Sequence, residues 1–153
     1  GSNGWNMQWP RIFTWVHLKE KRTQKSIYIY NTHFPLRPQE RDLSAKQISS
    51  AIAERKRKKS PVILTGDFNA CENEHSMKYL LGEHGSPIAM KDTFRLIHPN
   101  NNAGTFHAFG KTETCKIDYI YALGKIRVLD ANIINESEPF ASDHLAVTTI
   151  LQF

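Results

Sequence analysis

The stretch Pro61-Val62-Ile63-Leu64-Thr65-Gly66-Asp67-Phe68-Asn69-Ala70 constrains this chain more than any other. Its aliphatic and β-branched start reads as a buried strand. That strand runs into a glycine and then into Asp67 and Asn69, two residues apart. On an extended chain such residues face the same side. They therefore project together from a strand end, one an acid/base or metal-binding group and the other a neutral donor. Gly66 lets the backbone turn sharply or lie close to a neighbour. A strand followed by an Asx turn would use the same residues without any chemistry, so the surrounding chain has to weigh the two readings.

Residues 3–10 form an irregular lead-in. Arg11–Leu18 alternates and is aromatic-rich, as a strand should be, and Ser26–His33 is a second strand. The short charged link at 19–25 makes the two a hairpin. Pro35 and Pro38 stop any further strand. Glu40–Lys58 reads as a helix with a stripe of Ala45, Ile48, Ala51 and Ile52, acidic at its start and closed by a basic run. Because a helix joins them, the strand at 61–67 should run parallel to the second, as a βαβ unit. A short helix over 74–81, a long loop over 86–104 and strands near 116–123, 125–135 and 144–153 complete an α/β pattern.

At 153 residues the chain is one ordinary domain with room for a core. No apolar run approaches the ~20 residues of a membrane helix, and no signal-peptide pattern opens the chain. Gly1-Ser2 looks like a cloning scar, which leaves localisation open. Net charge is +5, and Arg55-Lys56-Arg57-Lys58-Lys59 alone holds five basic residues. Basicity confined to one helix end is a weak pointer to a polyanion, because a nucleic-acid footprint is usually broader. Cys71 and Cys115 are too few for a disulfide framework and lack a zinc-type neighbourhood, so they read as two thiols.

Three more polar clusters sit at strand ends: Asn31-Thr32-His33, Lys116-Ile117-Asp118 and Ser142-Asp143-His144. Asp118 shares a strand face with Ile120, and an unpaired carboxylate there would cost several kcal/mol. His144 is the candidate partner. Polar groups gathered at strand ends are a common way to build a site on a sheet.

The ordered set Asn-Thr-His-Phe, Gly-Asp-Phe-Asn, Ile-Asp-Tyr-Ile and Ser-Asp-His, with Arg11-Ile-Phe-Thr-Trp15 upstream, resembles the endonuclease/exonuclease/phosphatase family over about residues 5–153. The resemblance implies a metal-dependent phosphoesterase using in-line attack by water. It casts His144 as the group that contacts the phosphate and handles a proton, oriented by Asp118. His33 would lie across the phosphate, supported by Asp143, which would also approach a metal. Asp67 would align or deprotonate the water, and Asn69 would donate to a phosphate oxygen. Arg11, Asn31, Thr105 and Phe106 fall to the substrate side, and Mg²⁺ or Mn²⁺ would supply the remaining charge.

The same resemblance implies an α/β fold forming the C-terminal half of a four-layer α/β sandwich, a mixed sheet with flanking helices. Residues 3–153 would then be the C-terminal portion of the family's domain, without the half that carries the metal-binding Glu. None of the Glu residues here stands in that motif. Alone, the chain would be an inactive folded or binding module. The phosphate ester could be nucleic acid, or a phosphorylated sugar or lipid. The sheet face that the other half would cover, drawn from SIYIY, PVILT and IDYIY, would be open, which favours a homodimer or association with the missing half.

Overall fold

The structure is a computed structural model that describes Trp5 and residues 9–110, 115–134 and 139–153. A five-stranded mixed sheet forms its centre, in the order β1-β2-β3-β5-β4. The strands are β1 (Phe13–Lys19), β2 (Ser26–His33), β3 (Val62–Asp67), β4 (Lys91–Asp92) and β5 (Asp118–Leu123), and β6 (Arg127–Ile133) with β7 (Val147–Gln152) forms a separate two-stranded ribbon. The β1–β2 hairpin is antiparallel and β2–β3 is parallel, as the pattern of the sequence requires.

Alternation sorts each strand into two faces. Tyr28, Tyr30, Val62, Leu64, Tyr119 and Tyr121 all point to one face and are buried against Ala45, Ile48 and Ile52 of α1 (Pro38–Glu54) and Met77 and Leu80 of α2 (His75–Leu80). Ile29, Ile63 and Ile120 point to the other face and are half-buried, while Val16 and Leu18 are exposed there at 44% and 46%. The face left open therefore carries isoleucines, not the tyrosines, Val62 and Leu64 also expected on it. Those lie beneath the helices because they stand at the alternate positions. The β6–β7 ribbon covers part of the open face beside β5.

Three expectations need correction. The helix ends at Glu54, so the basic run lies beyond it. The Arg55 guanidinium donates to the carbonyls of Ile52 (2.8 Å), Lys58 and Ser60, and the Lys58 ammonium donates to Ala53 O. These two cations satisfy orphan carbonyls at the helix end. The supposed loop at 86–104 contains β4 and a short helix, α3 (Thr93–Ile97). Asp92 caps α3 by accepting from Phe94 N and Arg95 N, and Thr93 Oγ1 donates to Ile120 O. Finally, Cys71 and Cys115 are joined as a disulfide with Cα atoms 5.6 Å apart, a separation suited to that bond. Residue 135 of the expected strand at 125–135 lies outside the described residues. No helix among the described residues is long and apolar enough to cross a membrane.

Candidate active site

Strand register creates the site. His33 stands opposite Asp67 across β2–β3, and Asp67 stands opposite Asp118 across β3–β5. Three chemically active side chains thus end adjacent strands in a row. Close approach of β2 to β3 depends on Gly66 (φ 155°), because a Cβ there would lie 2.0 Å from Thr32 O. His144 arrives from the segment leading into β7. It is held by a bridge to Phe106, by Leu145 N donating to Thr105 O (2.7 Å) and by ring contact with Phe106 at 5.0 Å.

The Asp118–His144 contact expected from the strand pattern is present, with Nδ1 2.8 Å from Oδ2. His144 Nε2 faces Asp67 Oδ2 at 4.0 Å, and His33 Nε2 lies 3.3 Å from the same oxygen. Asp67 is thus flanked by two imidazoles. Burial pushes its carboxyl above the usual value; the Asn69 N–H pulls it back, and the Asp118 charge pushes it up again against the imidazoles. Burial is the largest influence on His144 and pulls it down. The Asp118 hydrogen bond and the charges of Asp118, Asp67 and Asp143 outweigh it, so the imidazolium persists above its ordinary pKa.

The expected Asp143–His33 contact does not form. His33 is opposite Asp67 by register, and the backbone carbonyl of Asp143 is tied to His107 N (2.9 Å) and Ala108 N (3.2 Å). Thr105, expected on the substrate side, is fully buried. Its hydroxyl accepts from Ile117 N (2.9 Å) and Asp118 N (3.1 Å), which fixes the start of β5. Asn31 reaches across to Thr65 Oγ1 at 2.9 Å. Asn69 adopts a left-handed φ of 47°, its N–H donating to Asp67 Oδ1 (2.8 Å) and its amide to Phe34 O (3.0 Å). The Asx turn and the site are therefore the same structure, and the turn links the ends of β2 and β3. Arg11 lies apart, in a small cleft beyond His33 with Trp9 and Arg37.

Sequence reasoning missed the scaffold behind this row. Lys116 is buried, 2.6 Å from Asp92 and 3.1 Å from Glu72, with its ammonium 3.5 Å from the Tyr119 ring centre. Arg95 reaches Glu72 at 2.8 Å. Tyr119 OH donates to Ala70 O and Lys116 O, and Phe68 N donates to Ile117 O. Together with the disulfide, these bonds clamp the segment after Asp67 to the segment before Asp118. One signal was available: each cysteine stands just outside a segment that carries a site aspartate.

A cleft of about 470 Å³ opens beside Asp67, Asp118 and His144 on the less covered face of the sheet, walled by Ile120, Leu145 and Val147. Asp67, Asp118 and His144 each offer a ligand atom, all within 4.8 Å of one another. The two carboxylates suit a hard divalent cation, whereas the imidazole suits a borderline first-row metal. Asp143, expected at the metal, is not in this group.

The model of the endonuclease/exonuclease/phosphatase family matches residues 4–144. No curated protein matches the chain. Among solved structures, the endonuclease/exonuclease/phosphatase from Bacteroides vulgatus is 29% identical with a TM-score of 0.84, over 99% of this chain and 59% of that one. The mannosyl-6-phosphatase of Bacteroides thetaiotaomicron is 26% identical with a TM-score of 0.81, over 99% and 61%. The human nocturnin catalytic domain, solved with a sulfate anion, shares the fold at 21% identity and a TM-score of 0.73, over 94% and 53%. The chain thus spans 59% and 61% of the two Bacteroides structures. On the family match and the mixed α/β fold, the chain belongs to the endonuclease/exonuclease/phosphatase family.

Proposed function

We propose that the protein from which this chain comes hydrolyses a phosphate ester with the help of Mg²⁺ or Mn²⁺, and that this chain supplies most of the acid/base machinery. The row His33, Asp67, Asp118, closed by the 2.8 Å Asp118–His144 hydrogen bond, carries the reading. Asp118 fixes His144 through Nδ1, leaving Nε2 turned toward Asp67. A protonated His144 donates to a phosphate oxygen and protonates the leaving group. Asp67, with its carboxyl raised by burial, orients the attacking water and accepts its proton. His33 donates from the far side of Asp67, and the second amide N–H of Asn69 adds a neutral donor. A divalent cation would supply charge neutralisation at the phosphate; among the described residues, Asp67, Asp118 and His144 lie close enough together to hold one. Asp67 is the foremost of them, since Asp118 is committed to His144 and a protonated His144 has no nitrogen left to bind a cation.

With phosphate esters and Mg²⁺ or Mn²⁺, His144→Ala and Asp67→Ala should each lose about 10²–10⁴-fold in turnover. A variant that keeps half the parent rate leaves the mechanism. The isolated chain should hydrolyse little, since the family's metal-binding Glu belongs to the other half; turnover by these 153 residues that EDTA abolishes would contradict that. The open isoleucine face we assign to cover by the rest of the domain or by a second copy. Light scattering tests this, because a monodisperse 17.6 kDa monomer without dye-binding apolar surface removes the need for a cover.

A further inference from the structure

The cleft beyond His33 has a composition of its own. It is formed by Trp9, Arg11, Pro35, Leu36, Arg37 and Glu40. Its position follows from the sheet. Thr32 Oγ1 donates to Ile12 O (3.2 Å), so the chain entering β1 runs alongside the end of β2. Strands are spaced about 4.8 Å apart, which puts this entry one strand beyond His33 and roughly 10 Å from the strand of Asp67. It lies on the side away from Asp118 and His144.

Two arginines and an indole meet there, and the Glu40 carboxylate, 3.5 Å from Arg37, offsets only part of their positive charge. Arg11 is half-buried, yet no hydrogen bond or ion pair joins it to another of the described residues. Arg37 is 64% exposed and has only a long 3.5 Å contact with Glu40. Trp9 is 62% exposed, with its ring free to lie against a flat or ring-shaped group. A guanidinium fork suits an anionic oxygen pair, and an indole beside it suits a sugar or base face. The remaining exposed cations of the basic run sit at the opposite end of α1 and cannot contribute.

We propose that Trp9, Arg11 and Arg37 form a second subsite, which selects phosphate esters whose far portion carries a ring and a second anionic group. This rests on the reading of His33, Asp67, Asp118 and His144 as the phosphate site. Substrate then lies across the strand ends, with the scissile phosphate at Asp67 and the second anion one ring-length away between Arg11 and Arg37.

Calorimetric titration of the full chain with Mg²⁺ provides the test, without relying on turnover. One pair of probes is glucose 1,6-bisphosphate and glucose 6-phosphate; the other is adenosine 3′,5′-bisphosphate and adenosine 5′-monophosphate. The bisphosphate of at least one pair binds on the order of tenfold or more tighter than its monophosphate. The pair with the larger ratio identifies the ring as sugar or nucleoside. Arg37→Glu and Trp9→Ala each bring that ratio close to one, whereas Lys56→Ala leaves it intact. Both substitutions fall on exposed side chains, so the fold survives them. Equal affinities within both pairs overturn the subsite and leave the proposed chemistry standing. Failure of all four compounds to bind overturns the phosphate site, and the subsite with it.

Discussion

The two faces of the five-stranded sheet are made by the same strands and differ in every other respect. Beneath α1 and α2, Leu64 and Val62 are fully buried and Tyr121 and Tyr119 nearly so. On the reverse, Ile29, Ile63 and Ile120 are half-buried, and an open cleft runs beside Asp67, Asp118 and His144. One face holds the fold together, while the other is kept partly bare around the chemistry. The clamp between the two site-bearing segments draws on the first face: Tyr119, which bonds Ala70 and Lys116, belongs to it. The site is thus presented on the weakly packed side and anchored from the strongly packed one.

Neighbouring residues of β3 give the largest test of that contrast. Leu64→Ala should cost about 2–5 kcal/mol, as truncations in tight cores do, while Ile63→Ala, on the other face, should cost about 1 kcal/mol. Urea midpoints decide; equal losses would mean that the open face packs as well as the covered one. Next in size is the disulfide. Cys71 and Cys115 are 44 residues apart, and reduction should lower stability by about 2–4 kcal/mol. The hydrogen bonds and ion pairs alongside should keep the site closed. Reduced and oxidised protein with the same midpoint would show that the clamp is wholly non-covalent.

The smallest effect is acid sensitivity of the anchoring side. Burial pushes Glu72 up, but the Arg95 hydrogen bonds and the Lys116 charge outweigh it and leave its carboxyl below the ordinary value of 4.5. The unfolded chain therefore takes up this proton first as pH falls. The contribution of Glu72 is complete above about pH 4.5 and is lost as pH drops through the lower, folded value. Glu72→Gln should flatten the fall of the urea midpoint in that window. An unchanged slope would place the acid sensitivity elsewhere.

The hairpin, the βαβ unit and the four polar strand ends were legible because each depends on local alternation or on the length of a connection. What depended on tertiary pairing was not. Helix α3 is five residues long and exists through the Asp92 cap and the bond from Thr93 to Ile120. Its segment has no periodicity to read. The resemblance pairs His33 with Asp143, although the parallel register of β2 and β3 places it opposite Asp67. Register is a property of two strands and is absent from either alone. The resemblance puts Thr105 on the substrate side, and only the folded chain shows that it accepts from Ile117 and Asp118. The cysteine pair offers only its placement beside the two site-bearing segments, since nothing in a spacing of 44 residues distinguishes a bridge from two thiols.

The disulfide also decides what happens when the backbone is cut. Asn100, Asn101 and Asn102 are exposed and lie between the two cysteines. A protease that nicks this turn divides the chain into one piece bearing His33 and Asp67 and another bearing Asp118 and His144. The Cys71–Cys115 bond keeps the pieces together, so the nicked molecule runs as a single species on a denaturing gel until a thiol is added. A broken chain and a divided site are, for this protein, two separate events.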